Sequence, residues 1–376
     1  MKCKRCLNED ESYFYKGSRG YYCRKCISFG RSMLKEEMEE VKLEEIRDDA
    51  YEYKLRYPLT IAQKKIAYSV IKVIDKKDVL IHAITGAGKT EVTLPPIAKH
   101  LKAKKKVCFA IPRRQVVLEL AYRFQKYFPN ALVVPVCQGY TNITDGDLIV
   151  CTTHQLYRYY QAFDLLILDE PDAFPFRGND VLHGIAKTSC RGHIIYLTAT
   201  PDKELLEKEN RKELIRFTLN RRPHNHLLAI PEVIVGPSVY LFLKLLIWLK
   251  DRDKPRMIFV PTIKMANVLG LVLKIFFPCF VCTSKTENRD EVIKKYKEGN
   301  NILVCTTVME RGVTIENVDV CVLYADHAVF DEASLTQISG RVGRTFKYPE
   351  GNALFLCNSK SKNVYDTINS IVEANS

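Results

Sequence analysis

The sequence predicts an α/β protein in which two tandem parallel-sheet domains follow a small four-cysteine module. Short apolar runs alternate with helical stretches over most of the chain, which is typical of parallel sheets covered by helices. The first thirty residues instead hold two C-x2-C pairs around two aromatic runs. We therefore divide the chain into a zinc-binding module at 1–30, a helical linker at 31–57, and domains at 58–222 and 223–376.

The bulk composition favours a protein with a polyanionic partner. The 376 residues are 47% hydrophobic, which is enough for more than one core. The net charge of +13 favours nucleic acid as a partner, although basic residues also serve solubility. The amino terminus, MKCKRCLNEDES, has no signal-peptide stretch. The most apolar run, 239–249, is too short to cross a bilayer and contains Lys244. We expect a buried helix there and a cytoplasmic protein.

Four cysteines near the amino terminus have the spacing of a zinc site. Two C-x2-C pairs flank a sixteen-residue spacer, and the ligands are Cys3, Cys6, Cys23 and Cys26. The spacer contains YFYKGSRGYY, which predicts a hairpin. Four thiolates fill a tetrahedral zinc, so we expect a structural Zn²⁺ and not a catalytic one. Two disulfides are the alternative, which a reducing cytosol disfavours. The basic, aromatic surface is open to two interpretations, a nucleic-acid contact or a purely architectural role.

The segment 31–57 changes composition sharply. Residues 32–57 contain five basic and nine acidic side chains around a loose apolar stripe. We expect an exposed helical connector.

A phosphate-binding loop follows the first apolar strand of the first domain. The string AITGAGKT spans 83–90 and ends in GKT after VLIHAI. Its backbone N–H groups are suited to phosphates, Lys89 to the β- and γ-phosphates of ATP, and a hydroxyl to Mg²⁺. The predicted nucleotide ligands are Gly86, Ala87, Gly88, Lys89 and Thr90, with Gln63 upstream on the adenine edge.

A pair of acids ends another predicted strand, 164–170. Asp169 is placed to position Mg²⁺, and Glu170 to polarise the attacking water. The alternative, two acids that cap a turn, loses weight because a phosphate loop precedes them in the same sheet.

Seven strings along the chain resemble the motifs of superfamily 2 helicases and translocases. In order, they are LTIAQ, AITGAGKTE, AIPRR, CTTHQLYR, DEPDAFPF, YLTATP and QISGRVGR. The four-cysteine module, DEPDAFPF and RRPHNH make the chain most similar to the ComFA family of late-competence DNA-uptake ATPases. Pro171 departs from the Val or Ala that is more usual, but Asp169, Glu170 and Asp172 are in place. The resemblance implies two tandem RecA-like domains, a nucleic-acid-stimulated ATPase, and ATP with Mg²⁺ in the interlobe cleft.

The resemblance also implies where the nucleic-acid backbone binds. In the first domain these residues are Pro112, Arg113, Arg114, Thr152, Thr153 and His154, and Thr198 and Thr200 relay the nucleotide state. Loops that carry hydroxyl and guanidinium groups suit phosphates without reading bases. The aromatic run that follows, 157–160, has two interpretations, base stacking or a core-packed helix, and the second is favoured.

The second domain has a similar strand pattern without a phosphate loop. Thr262, Ser284 and Thr306 follow strands and are candidates for contact with the nucleic-acid backbone. The motif that couples nucleotide and nucleic acid is resembled by five residues, namely Thr306, Thr307, Glu310, Arg311 and Gly312. Gln337, Arg341 and Arg344 are predicted to share one helix face. The two arginines are predicted to stabilise γ-phosphate charge after the lobes close; a solvated basic patch is the alternative.

By this resemblance the protein drives incoming single-stranded DNA into the cytoplasm during natural transformation. It implies docking to a membrane DNA channel, a phosphoribosyltransferase-like cytosolic partner, and a place at the inner face of the membrane. Three alternatives are a replication-restart or repair helicase, an RNA helicase, and a non-hydrolysing nucleic-acid-binding scaffold. We expect relatives of the first class to carry larger accessory domains, for which this length leaves no room. The DEPD and QISGRVGR strings differ from those expected of RNA helicases, and intact Lys89 and Asp169 argue against a scaffold.

Overall fold

The computed structural model describes residues 1–250, 253–309 and 315–375. The chain divides into two compact units, one of Met1–Ala83 with Gly88–Leu219 and one of Ile84–Ala87 with Asn220–Ser376. The boundary between Leu219 and Asn220 lies three residues before the one predicted from the sequence. The first unit includes the amino-terminal module as well as the first sheet.

The first unit contains a two-stranded hairpin and a seven-stranded parallel sheet. The hairpin strands are β1 (Phe14–Gly17) and β2 (Gly20–Cys23), as the aromatic runs predicted. The sheet has the order β5-β6-β4-β7-β8-β3-β9. Its strands are β3 (Asp78–Ala83), β4 (Val107–Ile111), β5 (Val133–Val136), β6 (Leu148–Thr152), β7 (Phe163–Asp169), β8 (Cys190–Thr198) and β9 (Leu214–Leu219). The helices are α1 (Ile61–Val73), α2 (Lys89–Val92), α3 (Leu94–Lys102), α4 (Arg114–Tyr127), α5 (Asp180–Ser189) and α6 (Lys203–Asn210).

The central strands of this sheet are apolar on both faces because helices cover both sides. β4 and β6 are buried at every position, which is the pattern of an interior parallel strand. The five strands that the sequence predicted in this domain are confirmed. The edge strands β5 and β9 are short or partly exposed and escaped prediction.

The second unit contains a six-stranded parallel sheet of order β10-β15-β14-β11-β13-β12. Its strands are β10 (Glu232–Val235), β11 (Arg256–Phe259), β12 (Cys279–Cys282), β13 (Ile302–Cys305), β14 (Asp319–Leu323) and β15 (Ala353–Cys357). The helices are α7 (Ser238–Trp248), α8 (Ile263–Lys274), α9 (Arg289–Lys297), α10 (Glu332–Ser339) and α11 (Lys362–Asn375). The fold is therefore two tandem RecA-like parallel sheets preceded by a four-cysteine module.

The segment 31–57, predicted as a helical linker, contains no helix, and that prediction is wrong. It is an extended strap along the first unit. The backbone N–H of Val41 donates to the Tyr160 carbonyl, and that of Lys54 donates to the Tyr127 carbonyl. Ile46 and Ala50 are buried. Ser32 and Leu34 are buried as well. These backbone hydrogen bonds and buried side chains outweigh the weak helical stripe, because most helix stability in proteins comes from packing and not from propensity.

Two further helix predictions need correction. The run 239–249 does form a helix, but only one face is buried. Leu241 and Leu245 are fully buried, whereas Val239 is 75% exposed. The helix predicted to carry Gln337, Arg341 and Arg344 on one face ends at Ser339, so the two arginines lie in the turn that follows. Gly343, at φ +64°, is in the left-handed region that a continuing helix excludes.

No helix in the described parts of the chain is long and apolar enough to span a membrane.

Candidate nucleotide and nucleic-acid sites

The phosphate loop connects β3 to α2 with glycine where the backbone requires it. Gly86 and Gly88 have φ of +81° and +80°. A Cβ atom on Gly88 would lie 2.3 Å from Nε2 of Gln63, so a side chain at this position would meet both strain and a clash. Lys89 and Thr90 begin α2 and are half-buried, and Ala87 is fully buried. A helix that begins directly after such a loop presents backbone N–H groups to an anion.

Gln63 supports the start of α1 and also lies beside the phosphate loop. Its Oε1 accepts a hydrogen bond from the Thr60 backbone N–H at 2.9 Å, and the Thr60 hydroxyl accepts one from the Gln63 N–H at 3.3 Å. This reciprocal pair is a capping box. The predicted adenine contact remains a prediction, and the capping box already uses the amide oxygen in holding the helix start.

The acidic box lies at the end of β7, as the sequence predicted. Glu170 has φ of +54°, and its N–H donates to the Leu197 carbonyl at 2.9 Å. This left-handed residue turns the chain sharply at the edge of the sheet. Asp169 and Glu170 are thus fixed where strand ends meet loops.

The third acid of the box, Asp172, connects it to the following strand. Its carboxylate accepts hydrogen bonds from the Thr198 hydroxyl at 2.5 Å and from the Thr200 hydroxyl at 2.8 Å. Asp172 is 5% exposed and Thr198 is fully buried. The two threonines that the resemblance assigns to a relay are therefore bonded directly to the acidic box.

Two sets of predicted residues lie side by side at the carboxyl ends of the strands of this sheet. β7, β8 and β3 are adjacent and parallel, so the acidic box, the relay threonines and the phosphate loop follow neighbouring strands. β6 and β4 lie on the other side of β7, and the predicted backbone contacts follow them. Ligands of open parallel sheets bind outside the carboxyl ends of the strands. The candidate nucleotide-binding residues and the candidate nucleic-acid-binding residues thus lie at the same end of the strands, but they follow different strands.

The nucleic-acid candidates after β4 differ in exposure. Pro112 is buried and Arg113 half-buried, whereas Arg114 is exposed. The Arg114 Nε donates to the Gln138 carbonyl at 2.8 Å, and its guanidinium lies 5.6 Å from the Tyr140 ring centre. Arg114 is therefore held in place with its cationic edge at the surface.

After β6, only one of the three candidates is exposed. Thr152 and Thr153 are buried and His154 is exposed. Partial burial lowers the pKa of the His154 imidazole, which favours its neutral form near pH 7. The aromatic run behind it is mainly structural, because Tyr159 is 2% exposed and its hydroxyl donates to the Thr144 carbonyl at 2.7 Å. This agrees with the core-packed interpretation.

In the second unit the backbone candidates follow three adjacent strands. Thr262 comes after β11, Ser284 after β12 and Thr306 after β13, and these strands form one side of the sheet. Thr262 and Ser284 are exposed and Thr306 is 8% exposed. The Thr262 hydroxyl also accepts from the Met265 N–H at 3.2 Å and so caps α8. The predicted coupling residue Gly312, with Glu310 and Arg311, lies outside the described residues.

The arginine-bearing turn after α10 is held by Arg222, for which no role is predicted from the sequence. Arg222 is 1% exposed and donates to the carbonyls of Gly340, Val342 and Gly343 at 2.6 to 2.9 Å. Burial lowers its pKa to about 10, so it still carries its charge at neutral pH. His224 contacts the Gly343 carbonyl at 3.0 Å. The string RRPHNH predicts only a family resemblance, because the carbonyls that Arg222 binds lie about 120 residues further along the chain.

Within this turn the predicted catalytic residues differ in exposure. Gln337 and Arg341 are 4% and 2% exposed, and Arg344 is half-buried. The Arg344 Nε donates to the Gly340 carbonyl at 2.8 Å. The structure thus places Arg344 nearer the surface than Arg341.

The four amino-terminal cysteines meet in one buried cluster that fits a zinc ion. Their sulfur atoms all lie within 4.8 Å of one another. The Sγ–Sγ distances are 3.8 Å for both Cys3–Cys26 and Cys6–Cys23. Thiolates about 2.3 Å from a tetrahedral zinc lie about 3.8 Å apart, whereas a disulfide needs about 2.05 Å. The hydrogen bond from Cys26 lowers the pKa of the Cys3 thiol, which favours a thiolate there. All thirteen cysteines are free and buried.

The chain is similar to known helicases and competence proteins over most of its length. Residues 62–208 match the family model described as DEAD/DEAH box helicase, and residues 239–346 match the helicase conserved C-terminal domain. The chain is 37% identical to the competence protein ComFA of Streptococcus pneumoniae, over 98% of this chain and 89% of that protein. It is 32% identical to ComFA of Bacillus subtilis, over 100% of this chain and 85% of that protein.

Solved structures support the fold. The Saccharomyces cerevisiae protein Dbp5 bound to RNA and ADP BeF3 aligns with a TM-score of 0.64 and 18% identity. The alignment covers 85% of this chain and 92% of that one.

Proposed function

We propose, from the premise that the chain belongs to the ComFA family of competence proteins, that it binds single-stranded DNA and drives its import during natural transformation. As a superfamily 2 ATPase of that family it has a helicase or translocase role in competence. The strand that it moves is, in this proposal, single-stranded DNA. The main support for the proposal is the sheet edge of the first unit, where nucleotide and backbone candidates occupy adjacent halves.

The residues of the first unit and the phosphate loop have defined tasks in this proposal. The loop N–H groups and Lys89 hold the triphosphate, and Thr90 and Asp169 are the residues suited to Mg²⁺. When bound, the metal neutralises charge on the phosphates. Glu170 orients the attacking water, and Arg344 and Arg341 stabilise charge on the γ-phosphate.

Nucleotide state reaches the strand through the Asp172 network. Because Asp172 holds both Thr198 and Thr200, a shift of the acidic box displaces the loop after β8. The exposed groups of Arg114, His154, Thr262 and Ser284 would contact phosphates of the strand without reading its sequence.

We further propose that the protein works at the inner face of the cell membrane. There it would dock peripherally to a membrane DNA channel and act with a phosphoribosyltransferase-like partner. This part of the proposal is supported by family membership alone.

Directional movement on a single strand tests the proposed function. An oligonucleotide with biotin and streptavidin at one end is incubated with protein and ATP, and displacement of streptavidin is followed. We expect ATP-dependent displacement from one end, and its loss in Glu170→Gln, which keeps the fold but not the carboxylate. Displacement from RNA but not from DNA would favour the RNA-helicase alternative, and none from either would contradict a translocase.

A further inference from the structure

The hairpin of the amino-terminal module presents a pair of neighbouring rings, one exposed (Tyr15) and one half-buried (Tyr22). Tyr15 and Tyr22 are directly opposite each other on β1 and β2. Their ring centres are 5.7 Å apart at an interplanar angle of 67°. The Arg24 guanidinium lies 5.8 Å from the Tyr15 ring centre, and that of Arg31 lies 5.3 Å from the Tyr22 ring centre. We call these four residues the aromatic–arginine face.

The chain segment that carries this face has charged side chains of one sign. Residues 13–35 contain six lysines or arginines and no aspartate or glutamate. Tyr15 is 52% exposed, and both arginines are exposed. In the described part of the chain, neither Arg24 nor Arg31 has a carboxylate within 4.0 Å. Lys25, by contrast, forms an ion pair with Asp180, the first residue of helix α5 in the first unit. One cation of the module thus anchors it, and the two beside the rings stay available.

The module is fixed next to a candidate strand contact. Phe29 lies 6.2 Å from the ring of His154 and 5.3 Å from that of Tyr157, centre to centre. The Arg5 guanidinium donates to the Phe29 carbonyl at 3.0 Å. Arg31 is only two residues from Phe29, so their Cα atoms are at most about 7 Å apart. The aromatic–arginine face therefore adjoins the loop after β6.

We propose that the aromatic–arginine face is a second binding site for single-stranded nucleic acid, beyond the helicase motifs. Unstacked bases stack on Tyr15 and Tyr22, and Arg24 and Arg31 bind the adjoining phosphates. The proposal rests on the proposed function, since it extends the strand path from His154 onto the module. Rings flanked by arginine, without a neighbouring carboxylate, suit a polyanion with flat bases better than a protein surface.

Binding of a labelled oligothymidylate to the full-length, zinc-loaded protein tests this assignment. We compare wild type, Tyr15→Leu and Tyr15→Phe by fluorescence anisotropy. Tyr240→Leu is the matched control, because Tyr240 is 42% exposed and has Lys244 5.4 Å from its ring centre. We expect Tyr15→Leu to weaken binding about tenfold, while Tyr15→Phe and Tyr240→Leu stay near wild type.

A duplex of equal length separates stacking from plain charge attraction. Paired bases cannot stack on the rings, so Tyr15→Leu should leave duplex affinity unchanged. Equal losses on both substrates, or an unchanged single-strand affinity at full zinc content, would overturn the proposal and leave the face to a protein partner. If wild type itself binds no single strand, the proposed function fails first.

Discussion

At the scale of single residues, Arg222 is the least expected contributor. A buried cation is costly unless its donors are satisfied, and three backbone carbonyls of one turn accept from it. The same turn carries Arg341 and Arg344. Arg222 therefore acts as a positioning residue for the predicted catalytic arginines.

Replacement of this guanidinium should impair both ATP hydrolysis and the stability of the second unit. Lysine keeps the charge of Arg222 but cannot donate to three carbonyls in one plane. We expect Arg222→Lys to lower kcat for ATP at least tenfold and to destabilise the second unit by about 2 kcal/mol. Steady-state hydrolysis and urea unfolding measure the two effects.

The neighbouring residue supplies the control for this prediction. Arg221 is exposed, so Arg221→Lys should behave as wild type in both measurements. A normal kcat in Arg222→Lys would show that the turn holds its shape without the fork of donors.

At the scale of elements, the zinc-binding module depends on four thiolates more than on a core. Few apolar residues pack around the cluster, namely Leu34 with parts of Phe14, Phe29 and Val181. Small modules of this kind fold with their metal. Loss of one ligand should therefore release zinc and loosen the hairpin.

Cys23→Ser tests that dependence. We expect zinc near zero by elemental mass spectrometry and faster protease cleavage within residues 1–35, with the sheet of the first unit intact. Cys279→Ser changes the other C-x2-C pair, which lies in β12, and should keep one zinc per chain. Full zinc content in Cys23→Ser would exclude the four-thiolate site.

The sequence predicted elements well where burial alone decides them. Nine strands were expected from apolar runs, and all nine are present, because an interior parallel strand is buried on both faces. The strap at 31–57 could not be foreseen, since its hydrogen bonds go to residues far along the chain, such as Tyr127 and Tyr160. The end of α10 at Ser339 also differs from the prediction. The spacing of Gln337, Arg341 and Arg344 by four and three residues predicts a continuing helix, whereas Gly343 has a positive φ and belongs to a turn.

The predicted sites divide in the same way. Residue spacing alone predicts the four-cysteine cluster and the glycine-containing phosphate loop, since the residues of each lie close together in the sequence. The Asp172 bonds to Thr198 and Thr200, and the Arg222 bonds to the turn after α10, join segments distant in sequence. No local pattern encodes such contacts, so only the fold reveals them.

At the scale of the whole molecule, the chain is a superfamily 2 ATPase of the ComFA family. We propose that the strand that it moves is single-stranded DNA. The net charge of +13 supports a polyanion but does not choose among nucleic acids. The choice depends on which strand accelerates hydrolysis.

The most direct measurement is ATP hydrolysis by the purified protein alone and with single-stranded DNA, duplex DNA or single-stranded RNA. Lys89→Ala serves as the blank. Our account predicts strong stimulation by single-stranded DNA, weaker stimulation by duplex and RNA, and no turnover in Lys89→Ala. Turnover that is indifferent to DNA, or stimulated only by RNA, would contradict it.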